Sequence, residues 1–365
     1  MNRDMFKTGQ RLFFTTNAKL YSDIYEVEVL AVYPDRLDLN LCFHDGYLLL
    51  LPVGTTIKWL TPGLKRTGLT SDVISRSTAD KVWSVTTPRE KVTTGHNTKV
   101  LAVGSGKGGV GKTTFSINLA LALSSCNQRV VLMDADIGMA NVEILLGVRS
   151  TNNLADVIQG YCTLSQILVE GPGGIQVLPG FSGMDSLTTL DSMQFNRIIS
   201  GFAELEDNCD ILILDTGAGL ADSVLKFLES ADEIILVSNP EPHALMDAYA
   251  LTKVLAQRDN GQNRVNLVMN RCDNEGEALK SSDTFVLAGQ RFLEIEPIYQ
   301  GWLPFDQLVT QSLKKKSPIF LSHPRERYSK QILEIAHKIT GLEMPSNKPV
   351  GLKAFWKRLK KNWIE

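Results

Sequence analysis

The chain has 365 residues, of which 43% are hydrophobic and 21% are charged, and its formal net charge is −2. That composition is typical of a globular protein, and the length is sufficient for two domains. The near-neutral charge argues against general binding to nucleic acid. The N-terminus carries no signal-peptide pattern, and no apolar run reaches the roughly 18 residues of a membrane span. We therefore expect a cytoplasmic protein.

The five cysteines are scattered singly along the sequence, and no two of them form a CxxC pair. They are Cys42, Cys126, Cys162, Cys209 and Cys272. Without paired spacing, neither a zinc site nor a disulfide framework is indicated. Single cysteines beside apolar stretches usually pack as small hydrophobes, and free thiols persist in a reducing compartment such as the cytoplasm.

Residues 8 to about 75 alternate apolar and polar positions, as half-buried strands do. The alternation is clear over 25–29 and 37–43, and Pro34-Asp35 and Asp45-Gly46 are turn signals. We predict a small antiparallel β-barrel or sandwich over residues 1–78. Residues 79–97 are rich in Ser, Thr, Lys and Arg, and we interpret them as a linker.

Residues 98–342 alternate short apolar runs with helical patterns, which predicts βαβ units. The strand candidates are 99–103, 129–133, 175–178, 210–214, 233–237 and 265–269. The expected fold class is α/β, with a mainly parallel sheet flanked by helices. Residues 343–349 are polar and contain two prolines, so we interpret them as a second linker.

A phosphate-binding loop follows the first of these strands. The sequence GKGGVGKT at 106–113 matches GxxxxGK[ST] between a strand and a helix, which is the context that the motif requires. Glycines allow successive backbone N–H groups to turn toward an anion, and the next helix directs its positive end to the same place. In this motif Lys112 contacts the β- and γ-phosphates, and Thr113 offers its hydroxyl to Mg²⁺. The nucleotide-binding candidates are Gly106, Lys107, Gly108, Gly109, Val110, Gly111, Lys112, Thr113 and Thr114.

Two other strands end in carboxylates. Strand 129–133 leads into Asp134-Ala135-Asp136, and the apolar run 211–214 ends in Asp215. Ligands of open parallel sheets bind at the carboxyl ends of the strands, so we expect these groups near the phosphates. A buried strand ending in Asp is a Walker B pattern, whose carboxylate holds Mg²⁺, usually through water. An acidic pair after a strand can also cap a helix, and that alternative stays open for Asp136.

The last segment, 350–365, is basic and amphipathic. One helical face carries Leu352, Phe355, Trp356, Leu359 and Trp363, and five Lys or Arg residues surround it. This pattern is typical of a helix that lies on an anionic membrane. Such a short helix binds weakly alone, and two copies in a dimer bind more strongly through effective concentration. We predict a membrane-targeting helix; the alternative is a helix that packs on the core of the preceding domain.

The string KGGVGKT at 107–113 and the acidic motifs resemble those of the MinD/ParA family of P-loop ATPases, over about 98–342. The resemblance implies an ATPase that binds ATP with Mg²⁺, has weak intrinsic activity and is stimulated by a partner. It also implies a homodimer that encloses two ATP molecules, in which Lys107 of one subunit reaches the nucleotide of the other.

The resemblance also implies roles for single residues. Asp136 would position or activate the attacking water, so that Lys107, Lys112 and Asp136 form the catalytic set. Metal ligation would involve Thr113, Asp134 and Asp215, with Asp134 supporting the Mg²⁺ shell.

Weaker matches concern the adenine base. Strand 265–269 ends in Asn270-Arg271, and in the family the asparagine hydrogen-bonds the adenine ring while the arginine stacks nearby. The segment around Pro304 resembles the family's later adenine-contacting loop. Asparagine after a strand is also a common turn residue, so this match is less specific than the phosphate loop.

Within the family, segments 136–141 and 215–219 look most like the FlhG (YlxH/FleN) branch, which controls flagellar number and placement. The resemblance implies a membrane-cycling switch at the inner face of the cell membrane. The implied partners are flagellar assembly proteins, either an FlhF-like GTPase or a switch-complex component. The DQAxxLR motif, with which members of that branch stimulate FlhF, does not occur in this sequence.

Residues 8–60 resemble the N-terminal β-domain of the YcgR-type flagellar brake proteins, in GQRLFF at 9–14 and LPVGTTIKWL at 51–60. The RxxxR and DxSxxG motifs of the PilZ half of those proteins are absent from the sequence, so we do not predict cyclic di-GMP binding. A generic protein-binding barrel is the alternative.

Three other functions remain as alternatives: division-site placement of the MinD kind, DNA or cargo segregation of the ParA kind, and a scaffold without hydrolysis. The near-neutral charge and the tail argue against DNA binding, and no specific nucleic acid is predicted. The intact Lys112, Asp136 and Asp215 argue against a scaffold.

Overall fold

The computed structural model describes residues 7–16, 25–33, 36–41, 43–44, 47–49, 51, 53, 55–59, 69–77, 81–87, 89–90, 98–136, 141–180, 194, 198, 201–202, 205–206, 208–258, 264–341 and 351–364. The chain divides into two compact units, Met1–Gly95 and His96–Glu365. Each unit has its own buried apolar core. The turns predicted at 34–35 and 45–46 and the linker predicted at 343–349 lie outside the described residues.

The first unit is an antiparallel barrel. Its strands are β1 (Arg11–Thr16), β2 (Tyr25–Val32), β3 (Arg36–Asn40), β4 (Phe43–His44), β5 (Tyr47–Leu48), β6 (Thr56–Trp59), β7 (Leu69–Ser77), β8 (Val82–Thr86) and β9 (Arg89–Glu90). The order β6-β1-β2-β3-β8-β7 closes into a ring, because β6 also pairs with β7. The short β9 pairs with β7, and β4 and β5 form a separate hairpin. The predicted antiparallel β-domain at the N-terminus is confirmed.

Strand alternation produces the barrel core. In β2 every second residue from Tyr25 to Val29 is buried, and the residues between them are more exposed. Phe14 packs at the centre, with its ring centroid 6.1 Å from those of both Trp59 and Trp83. Because the period of two directs one set of side chains inward on every strand, the closed ring removes that apolar set from water.

Part of the segment that we predicted as a linker, 79–97, belongs to this barrel. Strand β8 pairs with β3 and β7, and its Trp83 and Val85 are fully buried. The linker prediction was therefore wrong for 82–86 and 89–90. The Ser and Thr residues that suggested a linker include Ser84 and Thr86, which alternate with the buried pair and remain partly exposed.

In the part that the structure describes, the second unit has an eight-stranded sheet with helices. Its strands are β10 (Lys99–Gly104), β11 (Val130–Ala135), β12 (Val169–Glu170), β13 (Gln176–Leu178), β14 (Ile211–Thr216), β15 (Glu233–Ser238), β16 (Arg264–Cys272) and β17 (Ile298–Pro304). The order is β12-β13-β11-β14-β10-β15-β16-β17, and all neighbours are parallel except β12 with β13.

Most of the described helices of this unit lie between strands, and the last four follow the final strand. The described helices are α1 (Lys112–Ser125), α2 (Val142–Leu146), α3 (Leu154–Gln159), α4 (Leu164–Ile167), α5 (Asp222–Ser230), α6 (Pro242–Arg258), α7 (Glu275–Leu293), α8 (Gln307–Lys314), α9 (Ile319–Ser322), α10 (Arg327–Gly341) and α11 (Leu352–Ile364). All residues of β11, β14 and β15 are buried, as continuous apolar runs in parallel sheets predict. The α/β prediction is confirmed. Strand β17 was not predicted, because Gln300 and Gly301 interrupt its apolar run.

The C-terminal helix α11 packs on the core of the second unit. Its five large apolar side chains are at most 8% exposed and belong to the same core cluster as the sheet residues. The ring centroids of Trp356 and Phe202 are 4.2 Å apart, and those of Trp363 and Phe227, in α5, are 6.0 Å apart. The predicted membrane-targeting role of this helix stays a prediction. The alternative, packing on the core, is what the structure shows, because an amphipathic pattern suits either apolar partner.

Polar contacts fix α11 in this position. The Arg358 side chain lies 2.7 Å from Asp232 Oδ1 and donates from Nε to the Ser230 carbonyl at 2.8 Å. Asp232 also accepts from the backbone N–H of Val100, in β10, at 2.9 Å. Burial raises the pKa of Asp232, and the Val100 N–H and the Arg358 charge oppose that rise. Among the described helices, none is long and apolar enough to cross a membrane.

Candidate functional site

The phosphate-binding loop lies between β10, which ends at Gly104, and α1, which begins at Lys112. Gly109 and Gly111 have φ of 80° and 94°, a left-handed conformation that side chains with a Cβ rarely adopt. A Cβ on Gly106 would overlap the backbone of Asp247, whereas Gly108 and Gly109 face open space. The loop is thus closed on one side by α6 and open on the other, which suits a bound anion.

The start of α1 adds positive potential to this loop. Its N-cap is Gly111, no side chain caps the helix, and its first turn contains no acidic residue. Lys112 stands at the first helical position. Because the first N–H groups of a helix have no intrahelical acceptor, they provide the donors that a phosphate requires. The residues present therefore fit a nucleotide phosphate group.

Asp215 meets the first turn of α1. It is 2% exposed, and its Oδ1 accepts from the Ser116 hydroxyl at 2.8 Å. Burial raises the pKa of Asp215, while the Lys112 charge and the hydroxyls of Thr113 and Ser116 oppose that rise. The structure thus brings together the three predicted residues Lys112, Thr113 and Asp215. It also adds Ser116, which sequence reasoning missed although it follows Thr113 by three positions on the same helix face.

Asp134 lies beside Asp215, since the two residues are paired in register across β11 and β14. Its Oδ2 accepts from the N–H of Asn141 and of Val142, at 2.7 and 3.0 Å, and its Oδ1 accepts from the N–H of Asp136 at 3.2 Å. Burial, the largest cause, raises its pKa to about 6. Both oxygens therefore accept bonds from backbone N–H groups at Asp136 and at the start of α2. The expected role of Asp134 in the Mg²⁺ shell stays a prediction.

Asp136 faces the second acidic strand end. A Cβ added to Gly217 would lie 3.2 Å from Asp136 Oδ1, so the two segments approach closely. The Gly219 N–H donates to the Ser105 carbonyl at 2.9 Å, which ties this second segment to the phosphate loop. The residues after Asp136, 137–140, lie outside the described part. The attack-water role of Asp136 stays a prediction.

Lys107 forms an ion pair within the same chain. Its Nζ lies 3.2 Å from Glu241 Oε2, with both side chains about half exposed. An exposed pair of this kind contributes at most about 1 kcal/mol. Glu241 precedes α6 and was not among the residues that we predicted. The expected role of Lys107 at the nucleotide of a partner subunit stays a prediction.

The predicted base contacts lie where β16 and β17 end. Cys272 pairs with Pro304, so Asn270, Arg271 and Pro304 occupy one edge of the sheet. Asn270 is buried and donates from Nδ2 to the Val110 carbonyl in the phosphate loop. The structure therefore joins the base edge to the phosphate edge of the candidate site, and it does not test the adenine roles.

The site combines a glycine-rich loop, placed between a central parallel strand and a helix, with the buried Asp215 at the end of a neighbouring strand. This combination defines a P-loop nucleoside triphosphatase. A family model described as "ParA: NUBPL iron-transfer P-loop NTPase" matches residues 96–340. The chain belongs to the ParA family of P-loop NTPases, and it is an ATPase of the MinD/ParA type that binds ATP with Mg²⁺.

Three similar proteins illustrate this membership. The chain is 40% identical over 264 residues to the antiactivator FleN of Pseudomonas aeruginosa, covering 72% of this chain and 94% of the relative. It is 30% identical to the flagellum site-determining protein YlxH of Helicobacter pylori, covering 78% and 97%. The crystal structure of the Pyrococcus furiosus cell division ATPase MinD aligns with a TM-score of 0.56 and 25% identity, covering 67% of this chain and 99% of that one. The family model's match includes neither the barrel nor α11.

Proposed function

We propose that the protein is an ATP-dependent switch that dimerises around ATP, cycles on and off the membrane, and controls flagellar number or placement. The observation that carries the proposal is the glycine loop at 106–111, open on one face, with Lys112 and Asp215 beside it. Relatives named for antiactivation and for flagellum site determination support the flagellar role.

Each group has a defined task in this proposal. Backbone N–H groups of the loop and Lys112 hold the phosphates, Thr113 and Asp215 hold Mg²⁺, and Asp136 orients the attacking water. Magnesium, when bound, neutralises charge on the phosphate oxygens. Catalysis is then positioning and electrostatics, without a covalent intermediate. Asp134 supports the Mg²⁺ shell and accepts the backbone N–H of Asp136.

Dimerisation requires Lys107 to exchange partners. In the single chain it is paired with Glu241, and in the proposed dimer it reaches the nucleotide of the second subunit. Because the exposed pair is weak, a triphosphate with several negative charges competes for the ammonium successfully. The pair therefore holds Lys107 until ATP and a partner are present.

Membrane attachment requires α11 to leave the core, since its apolar face is buried. Helix α5, on which α11 packs, directly follows the segment 215–220 that lies beside the phosphate loop. We propose that ATP-driven movement of this segment shifts α5 and so releases α11. The released helix then binds an anionic membrane, and two copies in a dimer bind more strongly than one.

The test compares two lysines of one loop in a host strain that lacks the gene. Strains complemented with wild type, Lys112→Ala or Lys107→Ala are scored for flagella per cell by electron microscopy. We expect both variants to fail to restore the flagellar number and position. Purified Lys112→Ala should lose at least about 100-fold in ATP affinity, because the phosphates lose their charge partner. Lys107→Ala should keep ATP affinity.

Dimer formation is measured separately, by sedimentation of purified protein that carries Asp136→Ala to block turnover. With ATP and Mg²⁺ this protein should be dimeric, and adding Lys107→Ala should leave it monomeric. Retained ATP affinity of Lys112→Ala would contradict the site. If a strain without the gene had normal flagella but misplaced division sites, the flagellar role would be wrong. Division-site placement, for which the septum site-determining relatives are named, would take its place.

A further inference from the structure

The end of β16 has an irregular backbone. Its pairing with β17 shifts register between Met269 and Cys272, so an extra residue is accommodated there. Arg271, inside this bulge, has φ of 58°, a left-handed conformation that is uncommon for a residue with a long side chain. Such a conformation persists when surrounding contacts hold it, and the neighbouring Asn270 provides such a contact.

Both ends of the Asn270 amide are used. Its Oδ1 accepts from the backbone N–H of Arg271 at 2.9 Å, and its Nδ2 donates to the carbonyl of Val110 at 2.7 Å. The first bond fixes the orientation of the amide, and the second joins β16 to a loop 160 residues away in sequence. Asn270 is 4% exposed and Val110 is 2% exposed, so this bond is shielded from water.

The contact with the loop is very close at Gly111. A Cβ on Gly111 would lie 2.5 Å from Asn270 Nδ2, a distance that real Cβ atoms do not reach. Glycine is therefore needed at 111 for two independent reasons, its φ of 94° and the presence of the amide. The amide of Asn270 packs directly against the last turn of the phosphate loop.

The geometry of a peptide group shows what this bond does. The Val110 carbonyl and the Gly111 N–H belong to one planar trans peptide, so they point in opposite directions. A donor that fixes the carbonyl toward Asn270 thereby fixes the Gly111 N–H away from it. We propose that Asn270 is a positioning residue that holds the phosphate loop in its anion-binding shape, whatever base the nucleotide carries. This inference rests on the proposed phosphate site.

The test uses a ligand without a base. Binding of inorganic tripolyphosphate, without Mg²⁺, is measured by calorimetry for wild type and Asn270→Ala in the full-length protein. We expect about a five- to tenfold loss of affinity, the effect of one buried hydrogen bond. The matched control is Asn266→Ala on the same strand, whose amide donates to Glu233. It should keep the affinity for tripolyphosphate.

Two further measurements complete the test. In ligand-free protein, amide hydrogen exchange over 108–112 should be faster in Asn270→Ala than in wild type. Asn270→Asp, which keeps the shape and replaces the donor by an acceptor, should weaken tripolyphosphate binding at least as much. The proposal would be overturned if Asn270→Ala bound ATP more weakly but kept the wild-type tripolyphosphate affinity and amide exchange. Asn270 would then be only a base contact. Equal tripolyphosphate binding by wild type and Lys112→Ala would instead refute the phosphate site itself.

Discussion

Ser116 shows how a single hydroxyl supports the metal-binding side of the site. It is fully buried, and its Oγ lies 2.8 Å from Asp215 Oδ1 and 3.1 Å from the Lys112 carbonyl. Asp215 is the group that burial disfavours as an anion, so each donor to it matters. The fixed spacing of the phosphate-loop motif identified Lys112 and Thr113, and the apolar strand that ends in Asp215 identified that carboxylate. Ser116 serves the carboxylate instead, and no motif records it.

We expect Ser116→Ala to lower the affinity of the ATP-bound protein for Mg²⁺. The variant removes one donor to a buried carboxylate, which is worth about 1.5–3 kcal/mol, or about tenfold or more in Mg²⁺ affinity. The measurement is a calorimetric titration of Mg²⁺ into protein with saturating ATP. Ser125→Ala, at the far end of the same helix, is the matched control. If both variants titrate like wild type, Ser116 has no part in metal binding.

At the scale of elements, helix α11 and strand β8 show what a pattern of apolar residues can predict. The helical spacing in 352–363 predicted the helix and its apolar face, both of which the structure shows. The destination of that face could not be predicted, because an apolar helix face can pack on a lipid surface or on a protein core. Strand β8 was missed since only Trp83 and Val85 mark its inward face, and the parallel strands of the second unit were predicted from longer runs.

We expect Arg358→Ala to increase binding to anionic vesicles. The variant removes the contacts with Asp232 and Ser230 that hold α11, so the helix is released more often. It also removes one positive charge, which by itself weakens attraction to anionic lipid by about 1 kcal/mol. The measurement is co-sedimentation with vesicles containing phosphatidylglycerol, without nucleotide.

The control for this prediction is Lys361→Ala, which changes the charge equally at an exposed position of the same helix. It should bind vesicles no better than wild type. Equal loss of binding in both variants would show that Arg358 acts only through its charge, and the docked helix would then not limit attachment.

At the scale of the whole molecule, two units with separate cores share one chain. The family model matches 96–340, so the barrel at the N-terminus lies outside the matched region. Composition and alternation predicted both units, because each has a local pattern of its own. The boundary between the units falls at Gly95, after β9. It was less predictable, because a short strand with polar outward-facing residues has the composition of a linker.

We expect the fragment 96–365 to bind ATP with the affinity of the full chain, within about twofold. All the candidate nucleotide-site residues belong to the second unit, which has its own apolar clusters. The measurement is calorimetry with ATP and Mg²⁺ on both proteins, with circular dichroism as the control for folding. A folded fragment that fails to bind ATP would mean that the barrel contributes to the site.

Trp363 carries a consequence for how firmly the tail is held. Its indole N–H is buried and has no hydrogen-bond partner among the described residues, although Lys226 lies 4.8 Å from the ring. An unsatisfied buried donor costs about 1–3 kcal/mol. At a lipid headgroup or in water the same N–H finds an acceptor. If α11 leaves the core as proposed, this unsatisfied donor lowers the free-energy difference between the docked and the released helix.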